Sequence, residues 1–313
     1  MELTAKGKVQ ARRAGVLSRR ALLVVTAIFI VVILAVYFGI STVMADRLSR
    51  PERHPLTETP SVYGLTYERV EFTSAVDNIR LEGWYIDSPG SKVIMMLHGW
   101  NGNRTNRDTA MPMAEAFEQH GYDVFMFDFR GHGESGGDRF SLGQLEMRDV
   151  AGALTYLRGR GINEVGTIGW SMGAISALNS APDHPEMRAI VADSAFADAN
   201  LLLDTNVPKM SGLPPIFTPG MLLMGRLLYG IDYAHNIPAR AVARLGSRPV
   251  FLIHGTSDER IPVSHAYLLQ EAGANDPNLQ LWIVPNACHT CAYRQNPEEY
   301  SKRVLAIFDQ NLR

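Results

Sequence analysis

The sequence predicts an α/β fold: a mostly parallel central sheet with helices on both faces, a short helical cap insertion and an N-terminal transmembrane helix. Three observations predict it. From Val93 onward, short apolar runs take turns with helix-length segments, as expected for strands covered on both faces and joined by crossover helices. One strand-to-helix junction reads Gly169-Trp170-Ser171-Met172-Gly173, a Gly-x-Ser-x-Gly turn whose small neighbours let strand and helix pack closely. Ala21 to Ile40 is an uncharged apolar run, and about 20 such residues are what a helix needs to cross a bilayer.

The chain has 313 residues, 46% hydrophobic and 20% charged, which is a globular composition. A net charge of -2 gives no reason to expect a nucleic-acid partner. Both cysteines fall in one short segment, so there is no disulfide framework and no four-ligand zinc pattern.

In chain order, residues 1–20 form a basic tail with Lys6, Lys8, Arg12, Arg13, Arg19 and Arg20 against Glu2. Residues 21–45 form the membrane span. Beyond it, Arg47, Arg50 and Arg53 are diluted by Asp46 and Glu52. The more basic flank stays in the cytoplasm, so a single-pass protein with an extracytoplasmic domain is expected. The run exceeds the usual h-region of a cleaved signal, although Val43-x-Ala45 also fits a small-residue cleavage site. Residues 46–62, with Pro51, Pro55 and Pro60, read as a linker, and 63–313 as the globular domain.

Within that domain, residues 69–73 and 79–86 alternate polar and apolar, predicting two antiparallel strands with one wet face. Buried strands are predicted at 93–97, 122–127, 165–168, 189–192, 250–253 and 279–284. Helices are predicted at 111–120, 142–160, 174–179, 263–272 and 297–312. The alternation lapses over about 195–247, a Leu- and Met-rich stretch broken by Pro208, Pro214, Pro215 and Pro219. It reads as a helical cap that either packs on the sheet or presents an apolar wall able to receive an acyl chain.

Ligands of such sheets bind at the carboxyl ends of the strands. Asp258 follows one predicted strand and His289 follows the next. The order Ser171, Asp258, His289 supplies nucleophile, acid and base in the succession this turn requires. A serine hydroxyl is a poor nucleophile until a base takes its proton, an imidazole titrating near neutrality can do so, and a carboxylate fixes the imidazole tautomer. An oxyanion needs two backbone amides. Met172 is expected to give one, and Trp100, in the loop after Leu97, the other.

These segments resemble the α/β-hydrolase superfamily over residues 63–313. The resemblance is carried by Leu97-His98-Gly99-Trp100, by Asp128-Phe129-Arg130-Gly131-His132-Gly133-Glu134-Ser135, by the Ser171 turn, by His254-Gly255-Thr256-Ser257-Asp258-Glu259-Arg260-Ile261-Pro262, and by Cys288-His289-Thr290 with Tyr293. The chain looks most like single-span membrane-anchored members with short caps, among them thioesterases, esterases and peptidase-like enzymes. Cys288 is a departure, because that branch usually has a small residue there. The resemblance implies cleavage of an ester, thioester or amide through an acyl-enzyme, without cofactor or metal; the apolar cap and the apolar N-terminal run together suggest a small acyl or lipid-like substrate. Acyl transfer, serine aminopeptidase-like activity and a non-catalytic binding role are the alternatives.

Several residues admit other readings. Asp128 and Asp149 are alternative acids or loop anchors, and His98, His132 and His254 are expected to scaffold their loops. Cys288 and Cys291 are either two small buried residues or an oxidised pair stiffening the histidine loop; a metal would need more ligands. Asn103-Arg104-Thr105 matches a glycosylation sequon but sits beside the expected oxyanion loop.

Overall fold

A computed structural model describes residues 18–105, 108–274 and 276–312, so most of the basic tail expected over 1–20 lies outside the described residues. Strand β1 (Tyr67–Thr73) pairs antiparallel with β2 (Arg80–Ile86), and β2 pairs antiparallel with β4 (Tyr122–Phe127). The rest of the sheet is parallel: β3 (Lys92–Leu97), β5 (Val165–Trp170), β6 (Met187–Asp193), β7 (Val250–Gly255) and β8 (Leu279–Val284). The eight strands lie in the order β1-β2-β4-β3-β5-β6-β7-β8.

Period-2 patterning explains β1, where Val70 and Phe72 are buried and Glu71 and Thr73 are exposed. The middle strands are buried along their whole length, because helices cover both faces. One face carries α3 (Glu146–Gly159), α4 (Met172–Ser180), α7 (Pro238–Val242) and α8 (Ser264–Ala272). The other carries α2 (Ala110–Gln119) and the C-terminal helix Pro297–Asn311. The chain steps from β3 to β4 on one side and then back to β5 on the other. The crevice at the carboxyl ends of β3 and β5 is therefore a topological switch point, where a site is expected.

Helix α3 starts four residues later than its periodicity suggests. The buried Glu146 carboxylate accepts from the Ser141 amide at 2.9 Å, the Ser141 hydroxyl at 2.7 Å and the Gly143 amide at 2.8 Å. Leu142 and Gly143, at φ 56° and 98°, form a left-handed turn around it.

The cap comprises α5 (Asn200–Ser211), a short 3-10 turn at Pro215–Phe217 and α6 (Thr218–Tyr229). It meets α1 (Arg19–Ser49), a single 31-residue helix. Leu22 to Val36 of α1 are exposed almost throughout. Farther on, Ser41, Ala45 and Ser49 are buried at i, i+4 and i+8, forming one packed stripe. The Tyr37 hydroxyl donates to the Ile216 carbonyl at 2.9 Å and accepts from the Gly220 amide at 3.0 Å, while its ring stacks on Phe217.

The helix outlasts its apolar run because polar contacts take over. Asp46 pairs with Arg50 and Arg139, and the Ser49 carbonyl accepts from Phe140. Just beyond, Arg53 donates to the carbonyls of His132, Gly133, Ser135 and Gly137. The first part of the proline-containing stretch is thus fastened to the domain.

Candidate active site

Ser171 lies between β5 and α4 with φ 52° and ψ -116°, a region that non-glycine residues rarely occupy. The turn is held open by close packing. A Cβ at Gly169 would collide with the Gly173 backbone, and one at Gly173 with the Leu97 carbonyl. The Ser171 amide donates to the Asp193 carbonyl at 2.8 Å, so β6 supports the strained residue. The hydroxyl is left at the N-terminus of α4, where free amides favour negative charge.

Asp258 and His289 stand in the loops after β7 and β8, as their strand-exit positions predicted. The structure brings them to Ser171 in one chain of hydrogen bonds. His289 Nε2 lies 2.9 Å from Ser171 Oγ, and His289 Nδ1 lies 2.7 Å from Asp258 Oδ2. Asp258 Oδ1 accepts from the amides of Arg260 and Ile261, each at 2.9 Å. The Asp258 side chain is fully buried. Burial alone would raise its carboxyl, but the hydrogen bond and charge of His289, with the Ile261 amide, outweigh this and hold it below the ordinary carboxylate range.

The loop after β3 runs directly over this turn. A Cβ placed on Gly99 would sit 3.3 Å from the Trp170 carbonyl and 3.4 Å from Ser171 Cβ. Trp100 follows and stacks on Phe140 at 5.4 Å, and Met172 opens α4 fully buried. His98 fixes this loop: its Nδ1 meets the Gly99 carbonyl at 2.8 Å and its Nε2 accepts from the Phe129 amide at 2.9 Å. His132 and His254 likewise bond the Arg130 and Ile261 carbonyls. Asp128 is occupied by Arg104, and Asp149 by Arg130. Neither carboxylate belongs to the Ser171 hydrogen-bond chain. Asn103 of the sequon is buried and donates to the His54 and Pro55 carbonyls, so it is not available to a glycan.

Two features were not anticipated. Asp193, at the end of β6, is completely buried within the site's support. It accepts from Ser194 Oγ at 2.8 Å and from the Tyr300 hydroxyl at 3.0 Å, and Tyr300 in turn accepts from Trp170 Nε1. Ser194 Oγ also accepts from the amide of Thr290, which ties the histidine loop to β6. Burial pushes the Asp193 carboxyl up to about 6, against the pull of these hydroxyls. Its signal was available, since Asp193 directly follows the predicted strand 189–192. The second is Arg294, whose Nη2 lies 3.4 and 3.2 Å from the two sulfurs of Cys288 and Cys291, which are joined as the disulfide that was one of the two readings of that pair.

A cavity of about 600 Å³ opens above Ser171 and His289. Leu202, Val207, Met221 and Ile231 of the cap region line it, and so do Ala45 and Leu48 of α1. Its size and apolar lining suit a small organic ligand. A nucleophile, a base and an acid in hydrogen-bond contact at the floor of an apolar cavity can transfer an acyl group.

Residues 92–218 match the family model described as the alpha/beta hydrolase fold. The uncharacterized protein YfhR of Escherichia coli K12 is 30% identical over 249 residues, covering 77% of this chain and 80% of that protein. The thiohydrolase aneE of Aspergillus aculeatus is 31% identical over 141 residues, 43% of either chain. Among solved structures, the esterase Pf2001 of Pyrococcus furiosus superposes with a TM-score of 0.71 at 27% identity, covering 84% of this chain and 100% of the esterase.

Proposed function

This chain belongs to the α/β-hydrolase superfamily, and from that premise we propose that it is a membrane-anchored serine hydrolase cleaving an ester or thioester through an acyl-enzyme on Ser171. The observation that carries the proposal is the contact sequence Ser171 Oγ to His289 Nε2 at 2.9 Å and His289 Nδ1 to Asp258 Oδ2 at 2.7 Å, beneath an apolar cavity. Similarity to an esterase and, over a shorter span, to a thiohydrolase supports the same bond classes.

In the proposed reaction Ser171 Oγ attacks the substrate carbonyl while His289 Nε2 takes its proton. Asp258 steadies the resulting imidazolium. The amides of Trp100 and Met172 hold the oxyanion, a role favoured by the passage of the Gly99 loop so near Ser171 that a Cβ on Gly99 would touch it. When the tetrahedral adduct collapses, the bond to the alcohol or thiol breaks and His289 returns the proton to that leaving group. Water then attacks the acyl-enzyme with His289 as base, releasing a carboxylic acid and restoring Ser171.

Residues 21–45 would cross the bilayer, with the catalytic domain outside the cytoplasm. The exposed apolar surface of α1 and the Cys288–Cys291 disulfide, a bond favoured in oxidising compartments, support this topology.

A fluorophosphonate probe tests the proposal. The wild-type chain should label on Ser171, and Ser171→Ala should lose both labelling and ester turnover while keeping its melting temperature or gaining slightly. Folded wild-type protein that neither labels nor turns over esters and thioesters would overturn it.

A further inference from the structure

The membrane helix and the cap are not separate devices. Ala45, Leu48 and Ser49 of α1 line the same cavity as Ser171 and His289. A helix of 31 residues is roughly 46 Å long at 1.5 Å per residue. A bilayer core of about 30 Å accounts for only about two thirds of that length. If the core begins at Ala21, it ends near Ile40, and Tyr37 falls inside it.

Tyr37 is also the residue that holds the cap. Its hydroxyl joins the Ile216 carbonyl and the Gly220 amide, so the start of α6 lies at the depth where the apolar run ends. The cap surface at that level is apolar and uncovered. Ile216, in the turn just before α6, is 70% exposed, and Leu223 and Leu227, one turn apart on one face of α6, are 43% and 67% exposed as that helix runs alongside α1 from Tyr37 toward Asp46. The cavity reaches the surface close by. Lys209 and Met210, at the end of α5, both line it and are exposed, a few residues before the Ile216 turn. A lysine on an apolar stem beside such a mouth suits the headgroup layer of a membrane.

We infer that the apolar face of α6 and the Ile216 turn sit in the lipid surface beside α1, and that the cavity admits the acyl chain of a bilayer lipid laterally, past Lys209 and Met210, rather than from water. The occupant of this face is lipid, because the face is continuous with a helix that is itself apolar enough to span a membrane. The inference rests on the serine-hydrolase reading and adds the substrate's origin: an ester or thioester whose acyl chain is already dissolved in the membrane.

The test uses the full chain in phosphatidylcholine nanodiscs and two probes for Ser171. One is a dodecyl fluorophosphonate dissolved in the bilayer; the other is a short, water-soluble fluorophosphonate. Carboxylates on the α6 face would keep the cap out of the lipid. The double variant Leu223→Glu, Leu227→Glu should label at least about ten-fold more slowly with the bilayer probe and within about two-fold of wild type with the soluble one. The soluble probe also reports that the variant is folded. Equal rates for wild type and variant with the bilayer probe would overturn the inference, as would equal slowing of both probes. If neither probe labels the wild type, the serine-hydrolase reading itself fails.

A second readout is independent of the chemistry. An environment-sensitive fluorophore on Leu227→Cys should shift to the blue and be quenched by spin-labelled lipid. Emission typical of water, with no quenching, would place the cap clear of the membrane and refute the inference.

Discussion

His98 and His132 carry no role in the proposed chemistry, yet they set a pH limit on the fold that supports it. Burial pulls the His98 imidazole down to about 4 from its ordinary 6.5, and the His132 imidazole down to about 3, with His98 itself adding to the second shift. Both are neutral when folded and titrate near 6.5 when unfolded, so the unfolded chain takes up protons first as the pH falls. Their stabilisation is complete above pH 6.5 and is lost as the pH drops toward 4 for His98 and toward 3 for His132. His98 alone accounts for about 3 kcal/mol at pH 4. Denaturant titrations of the detergent-solubilised chain should show stability falling over that window, and His98→Asn should flatten the slope even if it lowers stability at pH 7. At this scale the sequence was most informative where chemistry coincides with a strand exit. Ser171, Asp258 and His289 were legible because each stands at the end of an apolar run. The support of Asp193 by Tyr300 was not, because the partners are 107 positions apart and nothing in the local pattern pairs them.

Among the elements, the junction of β5 and α4 is the tightest. Gly173 lies so close to the Leu97 carbonyl that any side chain must push β3 and α4 apart. Gly173→Val should therefore cost about 3 kcal/mol or more, as overpacking does, and lower the melting temperature measurably. It should also reduce labelling of Ser171, because β3 carries the loop that lies over it. The eight strands could be read in advance, since period-2 alternation at the antiparallel edge and unbroken apolar runs in the middle are different signals. Element ends were harder. Helix α3 begins at Glu146 because that carboxylate caps a left-handed turn, a use of a buried acid that periodicity does not reveal. Helix α1 runs to Ser49 because Asp46 finds Arg139, which is distant in sequence. The cysteine pair was legible only as alternatives, since two thiols three positions apart look the same in the sequence whether reduced or joined.

For the whole molecule, the topology proposal makes a direct prediction. A phosphatase reporter that folds only outside the cytoplasm, fused after Arg313, should be active, and a reporter that works only in the cytoplasm should be silent. The opposite pattern would reverse the orientation inferred from the basic flank. What hydropathy could not convey is that the anchor and the domain share a surface. Composition marks Ala21 to Ile40 as apolar all round, but only the packed stripe of Ser41, Ala45 and Ser49 shows where the helix stops being exposed and starts facing protein. This bears on proteolytic release. A cut after Ala45, where Val43-x-Ala45 fits a small-residue cleavage site, would not release the proposed enzyme intact. It would carry away Tyr37 with its hold on α6, and Ala45 with its share of the cavity wall. On the proposed reading, release of this kind would act as inactivation, because the fragment would retain Ser171 without part of the wall of its cavity.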